Sequence, residues 1–295
     1  MTWQAYRVVL CLRSPLHIGQ GKVGNVQRTR PYVTGRVLWG ALTERLTRDG
    51  ASGPATDSDL YRGVGDVVHD TLAFTYLYPT THDDGTVNLW PWDDGFRARF
   101  LSTYTSTALA YPQQSAEEGS LHEVEYITPH TLDRGKPVYL AGYVLAGDNA
   151  PSWQSAFHRL QIGGERGYGW GRVEPEKMDA LDDPPPQDSY PLFEGRYTVE
   201  LDTQLPVLTA QEDTCLLAHA LAADFEKRKA VSGVDGVVEP LVGRETTKKG
   251  RFGVKLSQAR ICYAPGSKVD TGSRFRIGPY GIWENTQYPI PKGSP

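Results

Sequence analysis

The stretch WQAYRVVLCLRSPLHIGQGKVGNVQRTRPYVTGRVLWGALTERL, residues 3–46, sets the fold of the first half of the chain. Apolar and polar side chains alternate along residues 3–13 well enough to predict a β-strand. From Val37 onward apolar residues recur at the spacing of one helical face, and Thr34 with Gly35 marks a helix start. A strand therefore leads through a glycine-containing loop into an amphipathic helix.

Further elements of the same unit follow along the chain. Residues 72–78 and 137–145 are rich in aromatic and β-branched types and predict strands, a helix is predicted from Ala150, and a last strand is predicted over 169–173. The order strand, helix, strand, strand, helix, strand is that of a ferredoxin-like (RRM-like) unit. Residues 79–123 are not needed for the six elements of this pattern and are predicted to form an insertion.

The second half repeats the opening pattern less clearly. Residues 195–208 alternate as a strand, 213–229 have the pattern of an amphipathic helix, and strand-like stretches follow at 253–255, 259–263 and 275–277. The predicted class is α+β, with two tandem ferredoxin-like domains, a glycine-rich loop between them and an insertion in the first. The predicted divisions are a first domain over 1–175, an acidic proline-rich linker over 176–192 and a degenerate second domain over 193–295.

The charge of the chain is unevenly distributed. Its 295 residues carry a formal net charge of -4, which alone argues against binding nucleic acid through bulk positive charge. Residues 1–48, however, hold eight basic side chains against one acidic, whereas residues 174–202 hold nine acidic against two basic. This opposition predicts a basic, RNA-facing surface with an acidic segment kept away from phosphates.

Cysteine content and hydropathy exclude several classes of protein. The three cysteines are odd in number and have no C-x-x-C spacing, so neither a disulfide framework nor a cysteine zinc site is expected. We find no signal-peptide h-region and no apolar run long enough to span a bilayer. We therefore expect a cytoplasmic protein that needs no metal, cofactor or membrane.

The first glycine-rich segment, Gly19–Gly24, matches G-x-G-x-x-G. A dinucleotide site would require a helix directly after it, and Pro31 keeps the chain out of helix there. The segment instead predicts a loop whose cations neutralise RNA phosphates, although a solvated surface loop is an equally open interpretation. The predicted contacts are Lys22, Arg28, Arg30 and Arg36.

Two further segments are candidate RNA contacts. The string GGERGYGWGR, residues 163–172, interleaves glycines with basic and aromatic side chains, which favours single-stranded RNA over the alternative of a bulged strand with core aromatics. Residues 244–255 concentrate basic side chains and predict either an RNA-touching hairpin or a solvated turn. The predicted contacts are Gly163, Gly164, Arg166, Tyr168, Trp170, Arg172, Arg244, Lys248, Lys249 and Arg251.

Three blocks together, SPLHIGQG (14–21), RPYVTGRVLWGALTERL (30–46) and GGERGYGWGRV (163–173), resemble the RAMP superfamily of CRISPR-associated proteins. The ending YAPGSKV (263–269) and FRIGPYGIWE (275–284) is similar to that of two-domain members. The resemblance implies a subunit that binds the 5′ handle of the guide RNA (crRNA) in a type III antiviral effector complex. Implied partners are backbone RAMP subunits, the large signalling or nuclease subunit and, indirectly, target RNA.

Catalysis is not expected. The target-cutting backbone subunits of that superfamily carry an aspartate after the first glycine turn, whereas this chain has no acidic residue between Gly19 and Arg36. His17 is the fallback for a metal-independent endoribonuclease that processes precursor crRNA. That enzyme, a backbone subunit, and an interaction protein without RNA contact that docks through residues 79–123 stay open as alternatives.

Overall fold

The computed structural model describes residues 2–112, 115–181, 189–224, 229–230, 233–245 and 253–286. Its first half contains four helices, α1 (Gly35–Gly50), α2 (Ser58–Thr71), α3 (Phe96–Phe100) and α4 (Trp153–Phe157). The strands there are β1 (Trp3–Leu12), β2 (Gly19–Val23), β3 (Val26–Thr29), β4 (Leu72–Phe74), β5 (Tyr78–Thr80), β6 (Leu101–Ser106), β7 (Leu109–Ala110), β8 (Ser115–Ala116), β9 (His122–Ile127), β10 (Tyr139–Gly147) and β11 (Val173–Ala180).

The first half is a ferredoxin-like unit. Its antiparallel sheet has the order β11-β1-β10-β4, with β5 also paired to β10. Strands β1, β4, β10 and β11 are the first to fourth strands of the ferredoxin-like pattern, so their order in the sheet is 4-1-3-2. The central pair runs in register from Trp3 opposite Gly147 to Cys11 opposite Tyr139. The predicted α+β class and the opening ferredoxin-like pattern are therefore confirmed. Within the described ranges, no helix has the length and apolar character needed to cross a membrane.

A second, helix-poor region follows, with a sheet of eight strands in the order β12-β13-β14-β24-β25-β15-β22-β19. Its strands are β12 (Ser189–Leu192), β13 (Tyr197–Glu200), β14 (Val207–Ala210), β15 (Ala220–Leu221), β16 (Ala223–Asp224), β17 (Lys229–Ala230), β18 (Val234–Asp235), β19 (Val238–Leu241), β20 (Arg244–Glu245), β21 (Lys255–Leu256), β22 (Arg260–Tyr263), β23 (Lys268–Val269), β24 (Arg274–Ile277) and β25 (Trp283–Asn285). A 3-10 turn, Pro279–Gly281, links the last two strands.

Both faces of the first sheet are buried. On one face, β1 packs Val8 and Leu10 into a core with α1 and α4. On the other face, Ala5 of β1 and Tyr143 of β10 share a core with second-sheet side chains such as Trp283. Successive side chains of a strand point to opposite faces, so β1 supplies both cores. The first sheet is thus enclosed between its own helices and the second region.

The helix predicted over 213–229 is wrong. Leu216, Leu217 and Ala220 are buried, but the backbone there bonds to neighbouring segments: Leu216 N–H donates to Ser267, and Trp283 N–H donates to the carbonyl of His219. Strand β15 lies between β22 and β25 in the middle of the second sheet. Cross-strand pairing has overridden the local helical pattern. Residues 225–228 of that prediction lie outside the described residues.

Two other boundaries differ from the sequence prediction. The last strand of the first unit is Val173–Ala180 and not 169–173, where a 3-10 turn over Arg166–Tyr168 precedes it. The strand pairs with β1 and continues into the predicted linker, while β12 begins at Ser189 at the linker's other end. The acidic residues of β11 face solvent at the edge of the first sheet. For this reason, composition alone suggested a linker there. The stretch 182–188 lies outside the described residues.

Candidate nucleic-acid interface

The second glycine-rich segment, residues 163–172, packs against residues 15–18, which lead directly into the first glycine-rich segment, Gly19–Gly24. Gly164 N–H donates to the carbonyl of His17 at 2.8 Å, and Gly171 N–H donates to the carbonyl of Pro15 at 2.8 Å. A Cβ on Gly163 would lie 2.5 Å from the carbonyl oxygen of His17, so only glycine allows this approach. The turn after β1 and the loop 163–172 therefore form one continuous surface.

A cleft of about 1150 Å³ opens beside this surface, between the first unit and the β19–β22 side of the second sheet. Both backbone and basic side chains reach it. The first unit contributes His17, Ile18, Gly19, Gln20, Arg30, Thr34, Arg36, Val37, Gly40, Ala41, Tyr76, Gln161, Gly163, Gly164 and Arg166. The second region contributes Leu221, Pro240, Leu241, Val242, Glu245, Lys255, Ser257, Gln258, Ala259, Arg260, Ile261, Tyr280, Ile282 and Glu284.

Two arginines that line the cleft, Arg36 and Arg260, are not engaged in ion pairs with any described residue, whereas its carboxylates Glu245 and Glu284 are paired with Lys255 and Arg276. The Arg36 guanidinium lies 4.6 Å from the centre of the Tyr280 ring, and its Nη2 donates to the carbonyl of Arg244 at 3.2 Å. Within the described part of the chain, neither Arg36 nor Arg260 forms an ion pair. By contrast, Arg166 is paired with Glu44. A cleft wall with unpaired guanidinium groups is chemically suited to phosphate.

Arg30, which the sequence predicts as a phosphate contact, is buried in an ion pair within the protein. Only 10% of its side chain is exposed, and its guanidinium contacts both carboxylate oxygens of Glu239, at 2.8 and 3.3 Å. Its Nη1 also donates to the Tyr32 hydroxyl at 3.3 Å. Arg30 follows β3, whereas Glu239 is on β19 of the second sheet. The pair ties the first unit to the second and forms part of the cleft floor.

His219 completes this buried network. Its Nε2 lies 2.5 Å from a Glu239 oxygen and its Nδ1 lies 2.7 Å from the Tyr76 hydroxyl. Burial opposes ionisation of Glu239, but hydrogen bonds from His219 and Arg30 outweigh it and lower the pKa of Glu239 to about 2. Burial lowers the pKa of His219. A neutral imidazole that donates from Nε2 to Glu239 and accepts from Tyr76 at Nδ1 satisfies all three groups.

The network predicts how stability depends on pH. His219 has a folded pKa below its ordinary 6.5, so the unfolded chain binds its proton first, and stability falls as pH drops below 6.5. Glu239 has a depressed folded pKa, so its contribution is present above 4.5 and is lost as pH falls toward 2. Urea unfolding at a series of pH values measures the slope, which one proton limits to about 1.4 kcal/mol per pH unit.

A matched pair of variants isolates the histidine part of that slope. His219→Gln keeps a donor toward Glu239 and removes the titration, so we expect a flatter profile just below pH 6.5. His158→Gln changes an exposed histidine and should leave the slope unchanged. Equal slopes in wild type and His219→Gln would contradict the prediction.

His17 lines the cleft in a fixed orientation. Its Nδ1 lies 2.7 Å from the carbonyl oxygen of Glu125, which can only accept, so Nδ1 carries a proton and the neutral ring keeps its lone pair on Nε2. The side chain is buried beside Gly19 and Gly164. Among the described residues that line the cleft, His17 is the only imidazole. Other groups that can act as a general acid or base, such as Glu245 and Lys255, also line the cleft.

The remaining predicted contacts lie around the cleft or outside it. Lys22 is exposed on β2, and Arg28 is paired with Glu125 at 3.0 Å. Tyr168 is 78% exposed, whereas Trp170 is half-buried. Arg172 and Arg244 are exposed. Lys248, Lys249 and Arg251 lie outside the described residues.

The structure adds cleft residues that sequence reasoning missed. Arg260 is on β22, which lies beside the first unit only through the fold of the second sheet, so no local motif marks it. Lys255 belongs to the basic segment 244–255 already noted in the sequence. Glu239 carried no signal either, because its importance comes from its partner Arg30, 209 positions away. The three cysteines are unpaired, and the described residues contain no cluster suited to a metal ion.

Comparison with known proteins gives structural neighbours of low identity. This chain is similar to one in the cryo-EM structure of the Type III-B Cmr-beta bound to cognate target RNA and AMPPnP, with 16% identity and a TM-score of 0.49 over 89% of this chain and 85% of that chain. It is also similar to chains in the Apo state and in the complex bound to cognate target RNA, each at 12% identity over 61% of this chain and 98% of that chain, with TM-scores of 0.35 and 0.36. No family model and no curated protein matches the sequence.

Proposed function

We propose that this chain is a non-catalytic, crRNA-binding subunit of a type III-like CRISPR interference complex, and that its cleft grips the 5′ handle of the guide. The observation that carries the proposal is the junction of the loop 163–172 with the turn that leads into Gly19, beside a cleft lined by glycines of both segments and by unpaired arginines. Glycines allow a nucleic-acid backbone to approach, and guanidinium groups bind its phosphates. The sequence blocks that resemble the RAMP superfamily are the segments that build this surface.

The basic side chains in and around the cleft have different roles in the proposal. Arg36 and Arg260 bind phosphates inside the cleft, and Arg172 and Lys22 extend the basic surface beyond it. Arg166 contributes once RNA competes with its partner Glu44. In a cytoplasmic complex, the rest of the surface contacts backbone subunits and the large subunit, and target RNA is met indirectly through the guide.

Loss of cleft arginines should weaken RNA binding and reduce its salt dependence. We expect the double variant Arg36→Ala/Arg260→Ala to bind a single-stranded guide RNA about tenfold or more weakly, because each charge-assisted phosphate contact is lost. The slope of log affinity against log salt should fall by about 1.4, or about 0.7 per contact on a single strand. Fluorescence anisotropy over a salt series measures both quantities.

Arg62→Ala provides the matched control. Arg62 is an exposed arginine on α2 paired with Asp59, and it does not line the cleft. It should leave affinity and slope unchanged. If wild type binds no RNA, the chain is an interaction protein and the proposal fails. If the double variant matches Arg62→Ala, RNA binds elsewhere on the chain.

His17 supports one second candidate, the precursor-processing endoribonuclease. Its lone pair on Nε2 lies at the cleft wall, where a general base would stand. Incubation with repeat RNA in EDTA tests this activity, with His17→Ala as the comparison. Cleavage by wild type and none by the variant would replace the non-catalytic assignment.

A further inference from the structure

Strands β2, β3, β9 and β6 form a separate sheet with two chemically different faces. Lys22 is opposite Gln27, Gln27 is opposite Val124, and Val124 is opposite Tyr104. Residues paired across strands share a face, and residues two positions apart along a strand share it too. The surface called here the aromatic face consists of Lys22, Gln27, Tyr104, Tyr126 and the adjoining Trp170, around the buried Val124.

The carboxylates of this sheet are all on the opposite face. Glu123 and Glu125 alternate with Val124 and therefore point away from the aromatic face. Glu125 is paired there with Arg28 and Arg97. The four strands thus give the aromatic face one cation and no anion, which complements a polyanion.

Three aromatic rings on this face have polar edges without partners. Trp170 has its ring centroid 6.0 Å from that of Tyr104 and 5.1 Å from that of Tyr126, at interplanar angles of 76° and 62°. Tyr104 is 54% exposed. Within the described part of the chain, the two hydroxyls and the indole N–H make no hydrogen bond. Such rings can stack with bases and hydrogen-bond to them.

The aromatic face is continuous with the cleft. Trp170 belongs to the loop 163–172, whose first two glycines line the cleft, and the side chain of Gln161 joins loop and cleft by donating to the carbonyl of Trp170 at 2.8 Å. A strand leaving the cleft over this loop therefore reaches Trp170 and then Tyr104. Unpaired bases, with a flat ring and a charged backbone, fit both the rings and Lys22.

We propose that the aromatic face is a stacking platform for unpaired bases of a single-stranded nucleic acid that continues out of the cleft, with Tyr104 as its exposed ring. The inference rests on the proposed function and adds a second subsite to it. Phosphates are held in the cleft, and bases are held on the sheet.

Paired probes separate stacking from phosphate binding. One probe is a fluorescent oligouridylate, and the other is an abasic chain with the same number of phosphates. We expect Tyr104→Ala to weaken binding of the oligouridylate at least about fivefold and to leave the abasic probe and the salt slope unchanged. Tyr104→Phe keeps the ring and should retain most of the affinity. Tyr111→Ala, at a 92% exposed tyrosine outside the aromatic face, should match wild type.

The outcomes of this experiment are distinguishable. Suppose that Tyr104→Ala and Tyr111→Ala bind the oligouridylate equally, whereas Arg36→Ala/Arg260→Ala binds it weakly. RNA binding by the cleft is then supported and the stacking platform is refuted. The aromatic face then contacts protein. Equal loss on both probes would also refute stacking. If wild type binds neither probe, the proposed function fails and the platform fails with it. Circular dichroism of Tyr104→Ala checks that the variant is folded.

Discussion

Glu239→Ala is expected to lower the free energy of unfolding by about 3 kcal/mol, because it leaves Arg30 and His219 without their shared partner. Removal of one member of a buried ion pair typically costs about 3–5 kcal/mol. The lower end applies because the Glu239 side chain is 23% exposed, whereas that of Arg30 is only 10% exposed. Urea unfolding, monitored by tryptophan fluorescence, measures the loss.

Two comparisons identify the cause of that loss. Glu174→Ala removes a similar pair, Arg13–Glu174 at 2.7 Å, but both side chains are about half exposed, so it should cost under about 1 kcal/mol. Arg30→Met/Glu239→Leu removes both charges, and we expect it to be more stable than Glu239→Ala. The single variants Arg30→Met and Glu239→Leu complete the comparison. If the stability loss of the double variant equals the sum of the losses in these two single variants, Arg30 and Glu239 are not energetically coupled.

The same network aligns the two walls of the cleft. Glu239 is followed along β19 by Pro240 and Leu241, which line the cleft, and Arg30 reaches it from the first unit. Holding these walls in register fixes Arg260 relative to the glycine-rich loop. In the proposed function, Arg30 would therefore position the phosphate-binding groups and would not contact phosphate itself.

Sequence reasoning succeeds where a segment's environment is set by its near neighbours. The first unit was predictable because α1 shows one apolar face, with Leu38 and Leu42 buried, and because β1 and β10 are flanked by turn residues. The glycines of the loop 163–172 were informative because glycine at that density weakens a strand unless a close approach requires it. The structure shows such an approach at Gly163 and Gly171.

Prediction fails where distant contacts decide the outcome. The segment around His219 has a helical pattern, but its consecutive buried residues fit the interior of the second sheet equally well, and only β22 and β25 decide between them. Arg30 has the same local setting as Arg28, yet one is buried and the other half-exposed. The difference comes from Glu239, which no neighbouring sequence reveals.

Gly171→Ala is expected to destabilise the protein by about 2–5 kcal/mol and to weaken RNA binding. An added Cβ would lie 1.9 Å from the carbonyl oxygen of Ile162, a backbone atom that cannot move unless the chain around it shifts. The residue also has φ +79, where a side chain costs about 1–2 kcal/mol. Overpacking adds about 1–3 kcal/mol. The hydrogen bond that Gly171 accepts from Ile162 N–H and the one that it donates to the carbonyl of Pro15 would be strained, where the loop 163–172 joins the turn after β1.

Gly169→Ala separates the two causes because Gly169 has nearly the same backbone angle, φ +80, with no atom within 4 Å of the added Cβ. We expect it to lose only the conformational part, about 1–2 kcal/mol, and to bind RNA like wild type. Urea unfolding and anisotropy on both variants make the comparison. Equal stability losses would mean that the contact with Ile162 relaxes freely. A normal RNA affinity in a folded Gly171→Ala would mean that the junction of the two loops does not shape the binding surface.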